Sequence, residues 1–184
     1  LSFLRFSVIE SSWSLFLSTS IGWCSLLPPT SQLTNADKKI LFSNSWHTLF
    51  LTSAFSHFGF SSLILSVEVK ESAALSLQKI KIAYSFMEEL KLTTLEQWCI
   101  TIILLYRPED SRFEDSSLIR TIQMQSALLL AECQDSTSDS SRSRGVSVSL
   151  ILPSLVQISP DDVRSVFFPD KSLSDMDKLC RDAF

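Results

Sequence analysis

The chain has 184 residues, a formal charge of −4 from 16 Lys+Arg against 20 Asp+Glu, and 45% apolar residues, enough to fill the core of one domain. Its three glycines exclude a Gly-rich phosphate loop, a dinucleotide fingerprint or a propeller. The lack of a basic stripe excludes a surface for phosphate backbones, so this segment is expected to bind no nucleic acid.

The first element predicted runs from Glu10 to Leu27, where Trp13, Phe16, Leu17, Ile21, Cys24 and Leu27 recur at spacings of three and four on one helical face. The uncharged part, Ser11 to Leu27, carries seven Ser or Thr in 17 residues, whereas a membrane span needs about 20 mostly apolar ones. It reads as a buried helix, with no membrane partner, ended by Pro28-Pro29. Thr34 or Asn35 caps a second helix from Ala36 to about Phe55, apolar on nearly every side and therefore central. His57 to Val69 reads as a short hairpin or an irregular connection.

The helical period returns from Glu71 to Leu92, carried by Leu75, Leu77, Ile80, Ile82, Ala83, Phe86, Met87 and Leu90. Thr93 or Thr94 with Glu96 resembles a capping arrangement for a helix over Leu95 to Tyr106, which Arg107-Pro108 ends. Asp115 or Ser116 opens the next, through Glu132, with Ile119, Ile122, Met124, Leu128 and Leu129 expected inside. Gln134 to Ser143 is a low-complexity polar stretch and is expected to form a solvated loop. Val146 to Phe168 is apolar again, with Pro153 predicted to kink it and Ser159-Pro160-Asp161-Asp162 predicted to start a fresh helix. A terminal helix, Asp175 to Phe184, sets Met176, Leu179, Cys180, Ala183 and Phe184 against Asp177, Lys178, Arg181 and Asp182 on the other face. At about ten residues it is unstable alone and must dock on the body. The prediction is an all-α chain of roughly seven helices with little or no sheet.

Catalytic chemistry is not expected. No GxSxG elbow appears, His47 and His57 lack neighbours at ligand spacing, and no base stands near the serines. His47 reads as a half-exposed polar residue, Asp161-Asp162 as a helix start and Glu88-Glu89 as a solvated face. Cys24, Cys99, Cys133 and Cys180 form no CxxC and read as buried small hydrophobes rather than metal ligands.

Several segments taken together resemble the ligand-binding domain of nuclear hormone receptors, in particular the tailless and photoreceptor-specific group. Trp23-Cys24, Pro28, Leu33 and Asp37 follow the order of the family's core signature, and Leu41, Trp46, Leu49 and Phe50 are similar to its central LLxxxWxxLF. Upstream, Glu10-Ser11-Ser12 and Leu15-Phe16 resemble the start of its third helix. Leu90-Lys91-Leu92 with Glu96 and Leu104-Leu105-Tyr106 resemble its next helix pair. Arg144-Gly145, LILPSLVQIS and Val163 to Phe168 resemble its dimerisation helix and ISxxxIExxFF ending. Leu179 to Phe184 fits its activation helix. The common order spans about 175 residues.

The resemblance implies an antiparallel helical sandwich that lacks its first helices at the N-terminus. The start at Leu1 rather than Met agrees with such a fragment. It implies transcription regulation in the nucleus by docking of coactivator or corepressor helices and by homo- or heterodimerisation. Zinc would be needed only in a DNA-binding domain outside this segment, which itself takes no cofactor. The implied coregulator groove comprises Ser25, Asp37, Ile40, Leu179 and Asp182. The implied ligand pocket is lined by Leu17, Ile21, Trp46, Phe50 and Phe168, with Leu179 as lid, and the dimer helix presents Leu150, Leu152 and Leu155. Departures favour a repressive orphan receptor. Ser25 stands where the family has a Lys or Arg of the charge clamp, Asp182 replaces a Glu, Asp37-Lys38 replaces Asp-Gln, and Thr30 and Thr48 replace a phenylalanine and an acid. The alternative is an unrelated helical scaffold without a movable last helix.

Overall fold

The structure is a computed structural model. It describes the chain except residues 1, 60–63, 65, 66, 68 and 135–138, and it gives residues 2–11, 134 and 139–145 by backbone alone. Among the described residues it holds eight α-helices and no strand: α1 Ser2–Leu26, α2 Asn35–Phe58, α3 Ala74–Leu90, α4 Thr94–Leu105, α5 Ser116–Gln134, α6 Asp139–Val156, α7 Pro160–Phe167 and α8 Leu173–Arg181. Short 3-10 turns precede α2 and α3, at Thr30–Gln32 and Glu71–Ala73. The expected hairpin over His57 to Val69 lies largely outside the described residues, although His57 and Phe58 belong to α2.

Helix boundaries follow local chemistry. The Thr34 hydroxyl accepts from the Asp37 amide (3.1 Å) at the start of α2, and Gly59, at φ +72°, ends that helix in a conformation glycine adopts readily. Three helices start with a reciprocal capping box: Thr93 with Glu96 on α4, Ser159 with Asp162 on α7, and Ser172 with Asp175 on α8. Pro160 occupies the first turn of α7, where its missing N–H has no intrahelical partner to lose.

Three boundaries correct the sequence expectations. α1 begins at Ser2 rather than Glu10, because residues 2–10 hold neither Pro nor Gly and one glutamate does not interrupt a helix. α6 begins at Asp139, so residues 139–143 extend a helix instead of a loop, and it continues through Pro153 to Val156. α8 begins at Leu173, two residues before the expected Asp175, because the Ser172 cap precedes the amphipathic stripe, and it ends at Arg181 rather than Phe184.

α2 is the centre of the fold, packing against α1, α4, α7 and α8; α5 lies along α4, and α6 along α3. Its Phe50 ring meets Trp13 (5.7 Å), Phe16 (6.0 Å), Phe167 (5.1 Å) and Phe168 (5.0 Å), which binds α1, α2 and α7 into one aromatic core. Burial departs from periodicity on the outer helices. α3 buries Ile80, Ala83, Tyr84 and Met87 but exposes Leu75, Ile82 and Phe86, and α5 buries Ile119 and Ile122 but exposes Met124, Leu128 and Leu129. Both helices pack on one side only, so an apolar residue off that side meets solvent whatever its type.

Candidate functional site

The expected ligand-pocket residues are core. Leu17, Ile21, Trp46, Phe50 and Phe168 are at most 2% exposed, and Phe168 lies against both Trp46 (5.8 Å) and Phe50. None of the five borders either of the two clefts that follow. Close packing of rings fills the space that a ligand in that position would need.

The expected coregulator residues divide. Leu179 of α8 and Asp182, just past its end, lie on the wall of a cleft of about 560 Å³ that faces Ser18 and Gly22 of α1. Ser25 sits on α1 beyond Gly22, and its hydroxyl donates to the Gly22 carbonyl (2.7 Å), so the helix backbone holds its only proton. Asp182 is exposed at the end of α8, whereas Ile40 packs half-buried against the core.

Asp37 lies apart from this cleft. It is buried, and its carboxylate accepts from the Glu114 amide (2.8 Å) and the Asp115 amide (3.3 Å), while the Thr34 hydroxyl donates to Glu114 Oε2 (2.9 Å). Asp37 therefore fixes the turn between α4 and α5 to the start of α2. Asp37 is not among the residues that line the cleft of Leu179 and Asp182.

α8 docks by a narrow set of contacts. Met176 and Cys180 are fully buried beneath it, and the Phe184 ring stacks on Phe42 of α2 at 5.4 Å and 17°. Burial pushes the Cys180 thiol up to about 12, so it is a protonated, unreactive core group. On α6, Leu150 is 68% exposed, Leu152 is half-buried against the core and Leu155 is buried, so Leu150 is the most exposed of the three expected dimer residues. Val146 and Val156 on α6 are exposed as well.

Two polar residues also depart from expectation. His47 is buried rather than half-exposed, at 5% exposure, and its Nδ1 has no hydrogen-bond partner among the described residues. Burial first, then the nearby Arg107 charge, pull its pKa down to about 4 against an opposing effect of Asp162. Cys133 is exposed, not buried. Burial raises the Asp162 carboxyl, but hydrogen bonds from Ser76 (2.7 Å), Ser159 and Lys79 more than offset it and leave its pKa at about 2.

The sequence reading missed a second cleft of about 800 Å³, between α1, α2 and α4. Trp23 of α1, 61% exposed, meets Trp98 of α4 edge-on across it, at 6.3 Å and 78°. A signal existed. Trp23 falls outside the apolar stripe of its own helix, and a bulky indole off the core face has a reason to be found elsewhere.

Among the described residues, no group of three or more His, Cys, Asp or Glu is placed to hold a metal ion, and no helix is long and apolar enough to cross a membrane. No family model matches the chain.

Proposed function

We propose that the chain is the coregulator-docking, dimerising part of a nuclear-receptor-type transcription regulator, acting in the nucleus, orphan and repressive in character, with DNA contacted by a separate zinc-finger domain. The observation that carries this reading is α8. It is a short amphipathic helix, capped by its own Ser172–Asp175 box and seated on α2 and α1, with Leu179 and Asp182 at a cleft between it and α1. A helix of nine residues has little stability by itself, so whether it is seated depends on the few side chains beneath it. Such an element is suited to a helix-in-groove exchange with a partner.

The motif order gives further support. The residues resembling the core signature fall at the end of α1, in the turn after it and in the first turn of α2, those resembling ISxxxIExxFF start and end α7, and those resembling the activation helix begin in α8 with Leu179 and run past its end to Phe184. The closely packed aromatic core suits an orphan receptor with no room for a conventional ligand. Ser25, with its proton engaged by the helix, offers no charge to the C-terminal carbonyls of a docked peptide. This agrees with repression rather than clamp-dependent activation.

The test is fluorescence anisotropy of labelled coactivator and corepressor helix peptides on the full chain and on a chain deleted from Leu173 to Phe184. A corepressor helix is expected to bind at about tens of micromolar or tighter, and the deletion is expected to change that affinity at least about tenfold. If no peptide binds, or if the deletion changes nothing, the scaffold reading replaces this one.

Dimerisation is assigned to the exposed apolar residues of α6. Leu150→Glu is expected to shift the chain from dimer to monomer in sedimentation equilibrium without altering its helical circular dichroism, because Leu150 contributes little to the core. A wild-type chain that is monomeric at high micromolar concentration would remove dimerisation from the proposal.

A further inference from the structure

We infer that the cleft between α1, α2 and α4 is a binding site for a small uncharged molecule that carries a flat ring system and a hydroxyl donor, such as a polycyclic phenol or alcohol. The inference stands apart from the helix-docking reading and uses none of its residues.

The shape of the cleft comes from three helices. α2 packs against both α1 and α4, so it forms the floor, while α1 and α4 form the walls. Trp23 and Trp98 join the walls in a T-shaped contact. The volume of about 800 Å³ lies within the range of small-molecule sites, about 300–1,000 Å³. A flat ring is the shape that two indoles recognise, through offset or edge-on aromatic contact.

The lining sets the charge of the ligand. Apart from His57, it includes no basic side chain and no carboxylate. An anion or a cation would enter without a counter-charge and lose its hydration, which disfavours both.

The hydroxyls set its hydrogen-bonding character. Ser20 donates to the Phe16 carbonyl (2.9 Å), Thr52 to the Thr48 carbonyl (2.9 Å) and Thr101 to the Gln97 carbonyl (2.8 Å). Ser56 donates to Gln97 Oε1 (3.0 Å), and Gln97 Nε2 donates to the Leu92 carbonyl (3.2 Å). A hydroxyl whose single proton is committed to a helix carbonyl keeps its lone pairs. These side chains therefore serve a ligand as acceptors, and the Trp23 and Trp98 indoles, which are donors, line the same cleft, so the complementary ligand group is an O–H, which both donates and accepts. The hydroxyls of Ser20, Thr52, Ser56 and Thr101, with their protons bonded within the protein, line the cleft with acceptors.

Three probes with one ring system separate these requirements: 2-naphthol, naphthalene and 2-naphthoate. The full chain, with its tryptophans labelled with nitrogen-15, reports through the four indole N–H signals. 2-Naphthol is expected to shift Trp23 and Trp98 saturably and to leave the core residues Trp13 and Trp46 in place. Naphthalene is expected to bind about fivefold more weakly, for want of one hydrogen bond, and the naphthoate anion at least about tenfold more weakly. Trp23→Ala, at an exposed position, and Ser53→Phe, which fills the floor, are each expected to weaken 2-naphthol at least about tenfold. Unchanged Trp13 and Trp46 signals in both variants establish that the core remains folded. Equal affinity for all three probes, indifference to both variants, or shifts spread over all four indoles would overturn the inference. So would a Trp23 signal that changes with protein concentration alone, since a second copy would then occupy the cleft.

Discussion

Phe50→Ala is expected to lower the unfolding free energy by about 4 kcal/mol, the cost of emptying a large aromatic site that cannot collapse. A domain of this kind is stable by about 5–15 kcal/mol in all, so the loss is a large share of it. The cause is the position of the ring: fully buried, in contact with Trp13 and Phe16 of α1 and with Phe167 and Phe168 at the end of α7. Urea unfolding monitored by circular dichroism measures it as a drop in midpoint at constant slope. The result also decides between two roles for the residue. A side chain that lines an open ligand pocket leaves less new cavity when truncated, so a loss below about 1 kcal/mol would return Phe50 to the pocket lining that the sequence suggests.

Stability is expected to fall by about 3 kcal/mol as pH drops from 6.5 to 4, and His47 is the cause. In the unfolded chain His47 takes up a proton near its ordinary value of 6.5; in the fold, burial and the Arg107 charge hold it neutral down to about 4. Above 6.5 both states are neutral and the group has no effect on folding. Between the two values only the unfolded state binds the proton, so the loss accumulates across that window and stops below it. Asp162 acts in a separate, lower window, from its ordinary 3.8 down to about 2, where protonation removes the stabilisation given by its hydrogen bonds. Urea midpoints from pH 7 to pH 4 test this. His47→Leu is expected to flatten that segment of the profile, and a wild-type profile already flat there would show that the imidazole charges without cost.

Local chemistry was legible where one short segment contains both partners. Thr93 with Glu96 and Ser159 with Asp162 are three residues apart, and each pair starts its helix where the sequence reading places it. The stretch from residue 139 to 143 was misread for a related reason. Its polar, serine-rich composition suits solvent, but a helix that buries Val148, Ile151 and Leu155 can extend backwards through polar residues that contain no Pro. The site was less legible because periodicity ranks residues by face and not by neighbour. It does not separate a core ring such as Phe50 from one lining a cavity, nor does it reveal that Asp37 reaches the amides of Glu114 and Asp115, 77 and 78 positions away. The meeting of Trp23 with Trp98 is equally non-local and follows only from how α2 seats its two neighbours.

The attachment of α8 has a consequence for amide hydrogen exchange. α8 is held by its cap, by Met176 and Cys180, and by the Phe184 stack on Phe42, and it lies at the end of the described chain. Releasing it breaks those contacts and its packing on α1, α2 and α7, whereas exposing the amides of α2 requires separation from α1, α4, α7 and α8 together. The two helices therefore report different events. The amides of α8 exchange through a local opening within microseconds to seconds, and those in the middle of α2 exchange only when the whole domain comes apart.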